Sequence, residues 1–162
     1  MPLMLTAPLF TETTRLKASR LFHYASPTAD LANGMVVQVD FSVSTYGVGK
    51  ACKIGTTTAA ASFIGPVDAA IDASADGLGG GFSDLYRTIP IVVYGVKEEV
   101  RTDNSATEGT LQMASAGTGG TSTDVTAGSE HFGFMVALED DAQIGATGTY
   151  QADMFVKSLW TM

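Results

Sequence analysis

The chain has 162 residues, of which 45% are hydrophobic and only 16% are charged, and its formal net charge is −8. This length suits one domain, or one domain with an arm, and it can bury a core without disulfide bonds or metal ions. The negative charge argues against a sequence-independent nucleic-acid binder, which needs a surplus of lysine and arginine, and the scarcity of charge is typical of a surface that partners cover.

Targeting and redox signals indicate synthesis in a cytoplasm. We find no stretch of about 18 apolar residues without charge, so we expect no membrane span. The N-terminus lacks a basic segment and contains Pro2 and Pro8, which does not fit a signal peptide. Cys52 is the single cysteine, so an intrachain disulfide is ruled out and a reducing compartment is favoured.

Residues 1–30 differ from the rest of the chain, and we predict an extended N-terminal arm there, followed by a β domain over residues 31–162. Up to residue 24, Glu12 is the one acidic residue, against the basic residues Arg15, Lys17 and Arg20. The pattern allows one helical turn at most and leaves open that the segment supplies a first strand of the main domain. Its apolar residues follow no strict period and include Leu3, Leu5, Leu9, Phe10, Leu16, Leu21 and Phe22.

The β domain begins with a period of two. Apolar residues alternate with Val36, Gln38 and other residues over 35–43, which predicts a half-buried strand with Met35, Val37, Val39, Phe41 and Val43 on one face. Tyr46-Gly47 predicts a turn, and residues 48–54 continue as the hairpin partner. A short strand is expected at Ala61–Ile64, ending at Gly65-Pro66.

One helix is predicted in the body of the chain. Pro66–Asp76 has proline at the first helical position, good helix formers after it, and the glycines of Gly77–Gly81 at its end. The next segment, Ile89–Val96, is apolar on both faces, which indicates a strand that is buried on both sides or lies at a subunit contact. Pro90 favours a strand end or an edge for its own position.

The last part of the chain predicts two more strands. Phe132, Phe134, Val136 and Leu138 share one face of the first. In the second, alternate residues from Tyr150 to Trp160 face the core. Residues 114–129 form a low-complexity loop with almost no side chain to bury. The whole pattern predicts an all-β fold with about seven to nine strands.

The candidate catalytic side chains do not form a competent set. His23 and His131 are the only histidines, and a catalytic histidine needs a nucleophile and an orienting acid nearby. Cys52 lies in the middle of a predicted strand, which suits a small buried hydrophobic residue better than an activated thiolate. We therefore expect no enzymatic activity, no catalytic residue and no cofactor.

Three acidic or glycine-rich patterns also have simple structural explanations. Asp68, Asp72 and Asp76 would share one helix face, but a straight helix cannot wrap three carboxylates around one cation, so we expect a solvated face and no metal site. Gly77–Gly81 follows the predicted helix and has no lysine after it, which favours a helix cap over a phosphate-binding loop. We interpret Glu139–Asp141 as a hairpin turn in water.

The second half of the chain has a distinctive order of short segments. Ile91–Val96 is followed by a charged turn at Lys97–Arg101, by Gly109–Met113, by a Gly/Thr loop, by Phe132–Glu139 and by Gly145 before a final strand. Within this order, Gly133–Glu139 is similar, with two extra residues, to the Gly-x-Ala-Leu-Glu-like residues of one family. Gly34–Val39 is similar to the opening strand of the same family. Over roughly residues 30–157, the chain thus resembles the capsid decoration (cement) proteins of tailed bacteriophages.

The resemblance implies a small β-barrel or β-tulip/sandwich domain on the outer surface of an HK97-type shell, often as a trimer. Such a protein reinforces the capsid against the pressure of packaged DNA and has no catalytic residues. The expected partners are the major capsid protein and further copies of this chain, without direct contact to nucleic acid or membrane. The expected location is the outer capsid surface of the virion, after synthesis in the host cytoplasm.

The predicted arm supplies the expected capsid contacts, with its basic side chains meeting acidic residues of the shell. Two alternatives remain open: a tail-tube or head-fibre component, and a carbohydrate-binding β-sandwich module. The carbohydrate module fits less well, because such modules expose coplanar aromatic residues. The expected contact residues are Leu3, Leu5, Leu9, Phe10, Arg15, Lys17 and Arg20.

Overall fold

The computed structural model describes residues 17–24, 30–43, 47, 49–56, 63–69, 88–115, 117–125, 135–144 and 148–158. This part of the chain is all-β, as predicted, and contains no helix. Its ten strands are β1 (Lys17–Tyr24), β2 (Val36–Val39), β3 (Ala51–Ile54), β4 (Phe63–Pro66), β5 (Thr88–Thr102), β6 (Leu111–Ala114), β7 (Ser122–Asp124), β8 (Met135–Ala137), β9 (Ala142–Ile144) and β10 (Thr149–Lys157).

Half of these strands close into a barrel. The strands follow the order β4-β2-β3-β1-β5-β7-β6-β8-β10-β9, and β10 pairs in addition with β5. The extra pairing joins β5, β7, β6, β8 and β10 into a closed five-stranded barrel. Closure removes the open edges that such a sheet would otherwise present.

Four of the other strands form a second ring that also returns to β5, whereas β9 pairs with β10. From β5 the pairing runs through β1, β3 and β2 to β4, and Val67, directly after β4, forms a bridge with Ile91 of β5. Buried apolar side chains form two clusters, the first of which spans the barrel and also includes Val36 of β2 and Phe63 of β4. The first cluster includes Val100, Met135 and Met154, and the second includes Phe22, Tyr24, Val39, Cys52 and Ile64.

Two bulges allow β5 to serve both rings. The register against β1 shifts between Ala18 and Ser19, and the register against β10 shifts between Ala152 and Met154. At the second bulge, Glu99 has a φ of 59°, and its amide donates a 3.1 Å hydrogen bond to Asp153 Oδ1. Because bulges bend a strand and increase its twist, one strand of 15 residues can pass from one ring to the next.

The same bulge corrects one expectation. Lys97–Arg101 does not form a charged turn but continues β5, which extends well beyond the predicted Ile89–Val96. The strand is paired along both edges, and residues 91–93 are buried, but Tyr94 is exposed and Val96 is half-buried, so burial on both faces holds for only part of the predicted segment. Pro90 lies near its start, as expected for a strand end, and its carbonyl accepts a 3.0 Å hydrogen bond from the Asp68 amide.

The predicted start of a helix at Pro66 is wrong. Pro66 is the last residue of β4 and pairs with Val36, and Val67 donates a backbone hydrogen bond to Met35. These pairings hold the backbone extended where the sequence pattern favoured a helix. The rest of the predicted helix from residue 70, Asp72, Asp76 and the glycines Gly77–Gly81 lie outside the described residues.

Burial differs from the predicted alternation in β2. All four residues of β2 are buried, and Phe41, expected on the same face as Val37 and Val39, is 59% exposed beyond the strand end. In β8, Met135 and Ala137 are buried, and Val136 and Leu138 share a face as predicted, which is the outer one. Phe132, Phe134 and His131 lie outside the described residues.

The region interpreted as a structureless loop contains a strand. β7 pairs with β6 in a hairpin, and Ser115 and Ser122 are buried. Small hydroxyl side chains fit the interior of a narrow barrel, so their low hydrophobicity concealed the strand. By contrast, the hairpin of β2 with β3 and the inward face of β10, formed by Ala152, Met154 and Val156, are as predicted.

The predicted N-terminal arm is not confirmed. Residues 17–24 form β1, which pairs with β5 over most of its length and with β3 at His23 and Tyr24. The alternative left open, a strand of the main domain, describes this part of the segment. Residues 1–16 and 25–29 lie outside the described residues.

Gly34 joins the two rings at a point where there is no room for a side chain. Its amide donates to the Val67 carbonyl and its carbonyl accepts from the Arg101 amide, both at 2.9 Å. Its φ is +76°, and a Cβ atom at this position would collide with the carbonyl oxygen of Glu99. Glycine is therefore required both by conformation and by space.

We expect Gly34→Ala to lower the free energy of unfolding by more than about 3 kcal/mol, because it adds a collision to an unfavourable φ. Gly109→Ala is the matched control, since Gly109 has a φ of +81° but no atom within 4 Å of its would-be Cβ. The control is expected to cost about 1–2 kcal/mol. Urea unfolding measures both values, and equal costs would contradict the packing role of Gly34.

Candidate functional site

The expected capsid-contact residues divide between the described and undescribed parts of the chain. Lys17 and Arg20 lie on β1, and both are exposed. Lys17 Nζ lies 2.6 Å from Asp68 Oδ2, so this cation is engaged within the chain. The remaining expected contacts, Leu3, Leu5, Leu9, Phe10 and Arg15, lie outside the described residues.

Asp68 is shared by two lysines, so it is not part of a simply solvated acidic face. Lys97 Nζ lies 3.8 Å from Asp68 Oδ1 and donates a 2.6 Å hydrogen bond to the Glu98 carbonyl. The Lys97 side chain is only 5% exposed. Burial lowers the pKa of Lys97, and the nearby Asp68 carboxylate opposes that effect only in part.

Cys52 is a core residue, as predicted. It is fully buried among the apolar side chains of the second ring. Burial, followed by the negative charge of Asp40, raises the pKa of the Cys52 thiol to about 12. Because the thiolate is the reactive form, this group is chemically inert in the folded protein.

Asp40 is held by its neighbours as a structural carboxylate. Its Oδ1 accepts hydrogen bonds from the Ser42 amide at 3.0 Å and the Ser42 hydroxyl at 2.6 Å, and Lys53 Nζ lies 3.6 Å away. Burial alone would raise the pKa of Asp40, but the Ser42 hydrogen bonds and the Lys53 charge outweigh burial and lower it.

The acidic turn at residues 139–141 is more than a hairpin tip in water. Asp141 Oδ2 accepts hydrogen bonds from Thr102 Oγ1 at 2.6 Å and from the Ala106 amide at 3.2 Å. Asp140 accepts from the Glu108 amide, and Glu139 from the Asp153 amide. Asp140 and Asp141 hold the loop between β5 and β6 against the barrel, and Glu139 joins the turn to β10.

A polar pocket of about 240 Å³ lies where the two rings meet. Its lining includes Met35, Arg101, Thr118 and Tyr150. The buried Nε of Arg101 has no hydrogen-bond partner among the described residues. The pocket is smaller than the about 300 Å³ at which drug-sized sites begin, so its size suits water or a small polar group.

An apolar row crosses four neighbouring strands on the surface of the barrel. Leu111 of β6 lies opposite Val136 of β8, Val136 opposite Phe155 of β10, and Phe155 opposite Val96 of β5. The buried neighbours of these residues along each strand face the core, so this set faces outward. We call Leu111, Val136, Phe155 and Val96, with the flanking Tyr94 and Leu138, the outer row.

The flanking residues widen the outer row. Leu138 is 42% exposed and its amide donates to the Asp153 carbonyl, while Tyr94 is 36% exposed. The Tyr94 ring meets the Phe155 ring edge to face, with centroids 5.4 Å apart. Aromatic and aliphatic side chains at adjacent cross-strand positions thus form a continuous apolar surface.

Opposite charges flank the outer row along the direction of its strands. On one side, Lys157 of β10 is exposed and lies opposite Tyr94. On the other side, Glu98 is exposed on the β5 bulge, and Asp153 accepts a hydrogen bond from the Glu99 amide. Along β10, Asp153, Phe155 and Lys157 therefore present an acid, an apolar ring and a base in turn.

The described ranges hold no group of three or more histidine, cysteine, aspartate or glutamate side chains placed to bind a metal ion. In the same part of the chain, we find no helix with the length and hydrophobicity that crossing a membrane requires. No family model matches this chain, and comparisons with curated proteins and with solved structures return no match. The outer row and its flanking charges are therefore the features from which a function can be inferred.

Cys52 is expected to react with a disulfide reagent at pH 8 at least about a hundredfold more slowly in the folded protein than in the urea-unfolded chain. The reason is its burial and raised thiol pKa. A chain carrying both Cys52→Ala and Phe41→Cys is the control, because position 41 is exposed. Absorbance of the released thiol gives both rates, and equally fast labelling of native Cys52 would contradict the burial.

Lys97 is expected to make the protein more stable as the pH rises. Its folded-state pKa lies below the ordinary 10.5, so between the two values the unfolded chain binds more protons than the folded chain. The burial cost is fully present below the folded pKa and is relieved as the pH rises through it. The slope can reach about 1.4 kcal/mol per pH unit.

Lys97→Met should remove this pH dependence and leave the protein at least as stable at pH 7, because Asp68 keeps its 2.6 Å pair with Lys17. Urea unfolding from pH 7 to pH 10 measures the effect. Lys50→Met serves as the exposed-lysine control. Parallel stability curves for the wild type and Lys97→Met would show that Lys97 does not cause the pH dependence.

Proposed function

We propose that this protein is a structural virion protein that decorates and stabilises an HK97-type phage capsid by binding its outer surface. Its partners are the major capsid protein and further copies of itself. It acts through contact surfaces and converts no substrate.

The outer row is the observation that carries the proposal. An apolar surface across four strands of a closed barrel is costly to leave in water and is typical of a protein-contact site. The barrel supports this use, because side chains on paired strands hold fixed positions and lose little entropy on binding. The resemblance of residues 30–157 to capsid decoration proteins supplies the identity of the assembly.

The described contacts narrow the part of the N-terminus that reaches the shell. Residues 17–24 belong to the sheet, so the capsid-binding segment in this proposal is residues 1–16. That segment contains the expected contacts Leu3, Leu5, Leu9, Phe10 and Arg15. Many weak contacts repeated over one lattice add as avidity, so each can be modest.

Electron micrographs of particles with and without the protein test the proposal. We expect a difference density on the outer capsid surface, and a chain lacking residues 1–16 should show reduced occupancy when added back to depleted particles. Density within the tail would instead indicate a tail-tube component, and density confined to a fibre would indicate a head-fibre role. Either result would overturn capsid decoration.

Leu138→Glu should also lower occupancy on depleted particles, since it places a charge in the outer row. Phe41→Glu is the matched control, because Phe41 is exposed after β2 and is not part of the outer row. Occupancy is read from the protein-to-capsid ratio of purified particles. An equal ratio for the two variants would contradict a role for the outer row in assembly.

A further inference from the structure

We infer that two copies of this protein associate through their outer rows around a twofold axis. The inference rests on the proposed function only in using the outer row as a contact surface, and it names the partner of that surface. The twofold arrangement differs from the trimer that the family resemblance implies, because it follows from the positions of the charged side chains on the two sides of the row.

The outward side chains of β10 carry an acid and a base on opposite sides of the row, and β5 adds a second acid on the acidic side. Along β10 they run from Asp153 through Phe155 to Lys157. On β5, Val96 lies opposite Phe155 and Tyr94 opposite Lys157, and Glu98 lies beyond Val96 at the bulge. The acidic and basic sides are four residues apart, or about 13 Å at the usual rise of a strand.

A twofold axis that runs along the row places the acidic side of one copy against the basic side of the other. Lys157 of one copy then lies against Glu98 and Asp153 of the other, and the same pairing occurs a second time by symmetry. The apolar residues of the two copies meet in the middle. A surface that is complementary to itself in this way is what an isologous contact requires.

The extent of the row sets the strength of the contact. Four strands span three gaps of about 4.8 Å, so with its flanking side chains the row covers roughly 400 Å². A standard stable interface buries about 800 Å² on each partner. The dimer should therefore be weak, with a dissociation constant in the micromolar range or above, and should dissociate on dilution.

Charge reversal provides a test that only a specific pairing passes. In a dimer of Lys157→Glu, the new carboxylate faces Glu98 of the other copy, and the symmetry repeats this repulsion. In a dimer of Glu98→Lys, the new ammonium group faces Lys157 of the other copy, again at both contacts. Each substitution should weaken self-association of the full chain at least about fivefold in sedimentation equilibrium. An equimolar mixture of the two variants should associate more strongly than either variant alone, because both contacts between positions 98 and 157 then join opposite charges, while Asp153 is unchanged in both chains.

The matched controls are Lys50→Glu and Asp30→Lys, which reverse exposed charges away from the outer row. They should leave self-association unchanged, alone and mixed. Dilution of the wild type, followed by the amide signals of Val136 and Phe155, tests the same contact without substitution. Concentration-dependent shifts at these residues are expected, and they keep the test valid if a variant fails to fold.

Several results would overturn the inference. They are a wild type that stays monomeric at millimolar concentration, a mixture that associates no more strongly than either variant alone, and an assembly with the mass of three chains. The last would show a head-to-tail contact in place of the twofold one. A confirmed dimer that never appears on particles would reject the proposed function and leave the pairing intact, so the two can fail separately.

Discussion

Backbone pairing along both edges of β5 is the interaction on which the described structure depends. One edge joins β1, and the other joins β10 along most of the strand and β7 at its end. Both clusters of buried side chains draw residues from this strand. The bulges opposite Ala18 and Asp153 bend it enough to reach both rings. Everything on the outside of the barrel, including the position of the outer row, follows from the register that β5 sets.

The acidic character of the chain has a structural use. Asp40, Asp140 and Asp141 accept hydrogen bonds from backbone amides, and Asp68 holds two lysines. Short carboxylates are well suited to loops, where backbone amides lack a strand partner. These four of the 17 acidic residues therefore fix connections between strands or hold buried and exposed lysines within the fold.

The sequence pattern was sufficient for the all-β class, the β2–β3 hairpin, the buried Cys52 and the inward face of β10. Each depends on local alternation or on the residue type alone. The pattern failed where distant pairing decides conformation, as at Pro66, which sheet hydrogen bonds hold extended. It also missed β7, whose small hydroxyl residues fill a narrow barrel. The outer row could not be predicted, because the alignment of its four strands depends on register.

Because β5 contributes to both cores, it also affects how the protein unfolds. Loss of either core would remove backbone partners from β5 that the other core needs. The described part of the chain should therefore melt in a single cooperative step and expose no half-open form with free strand edges. Because few partly unfolded molecules with free strand edges would be present at any temperature, aggregation during unfolding would be limited.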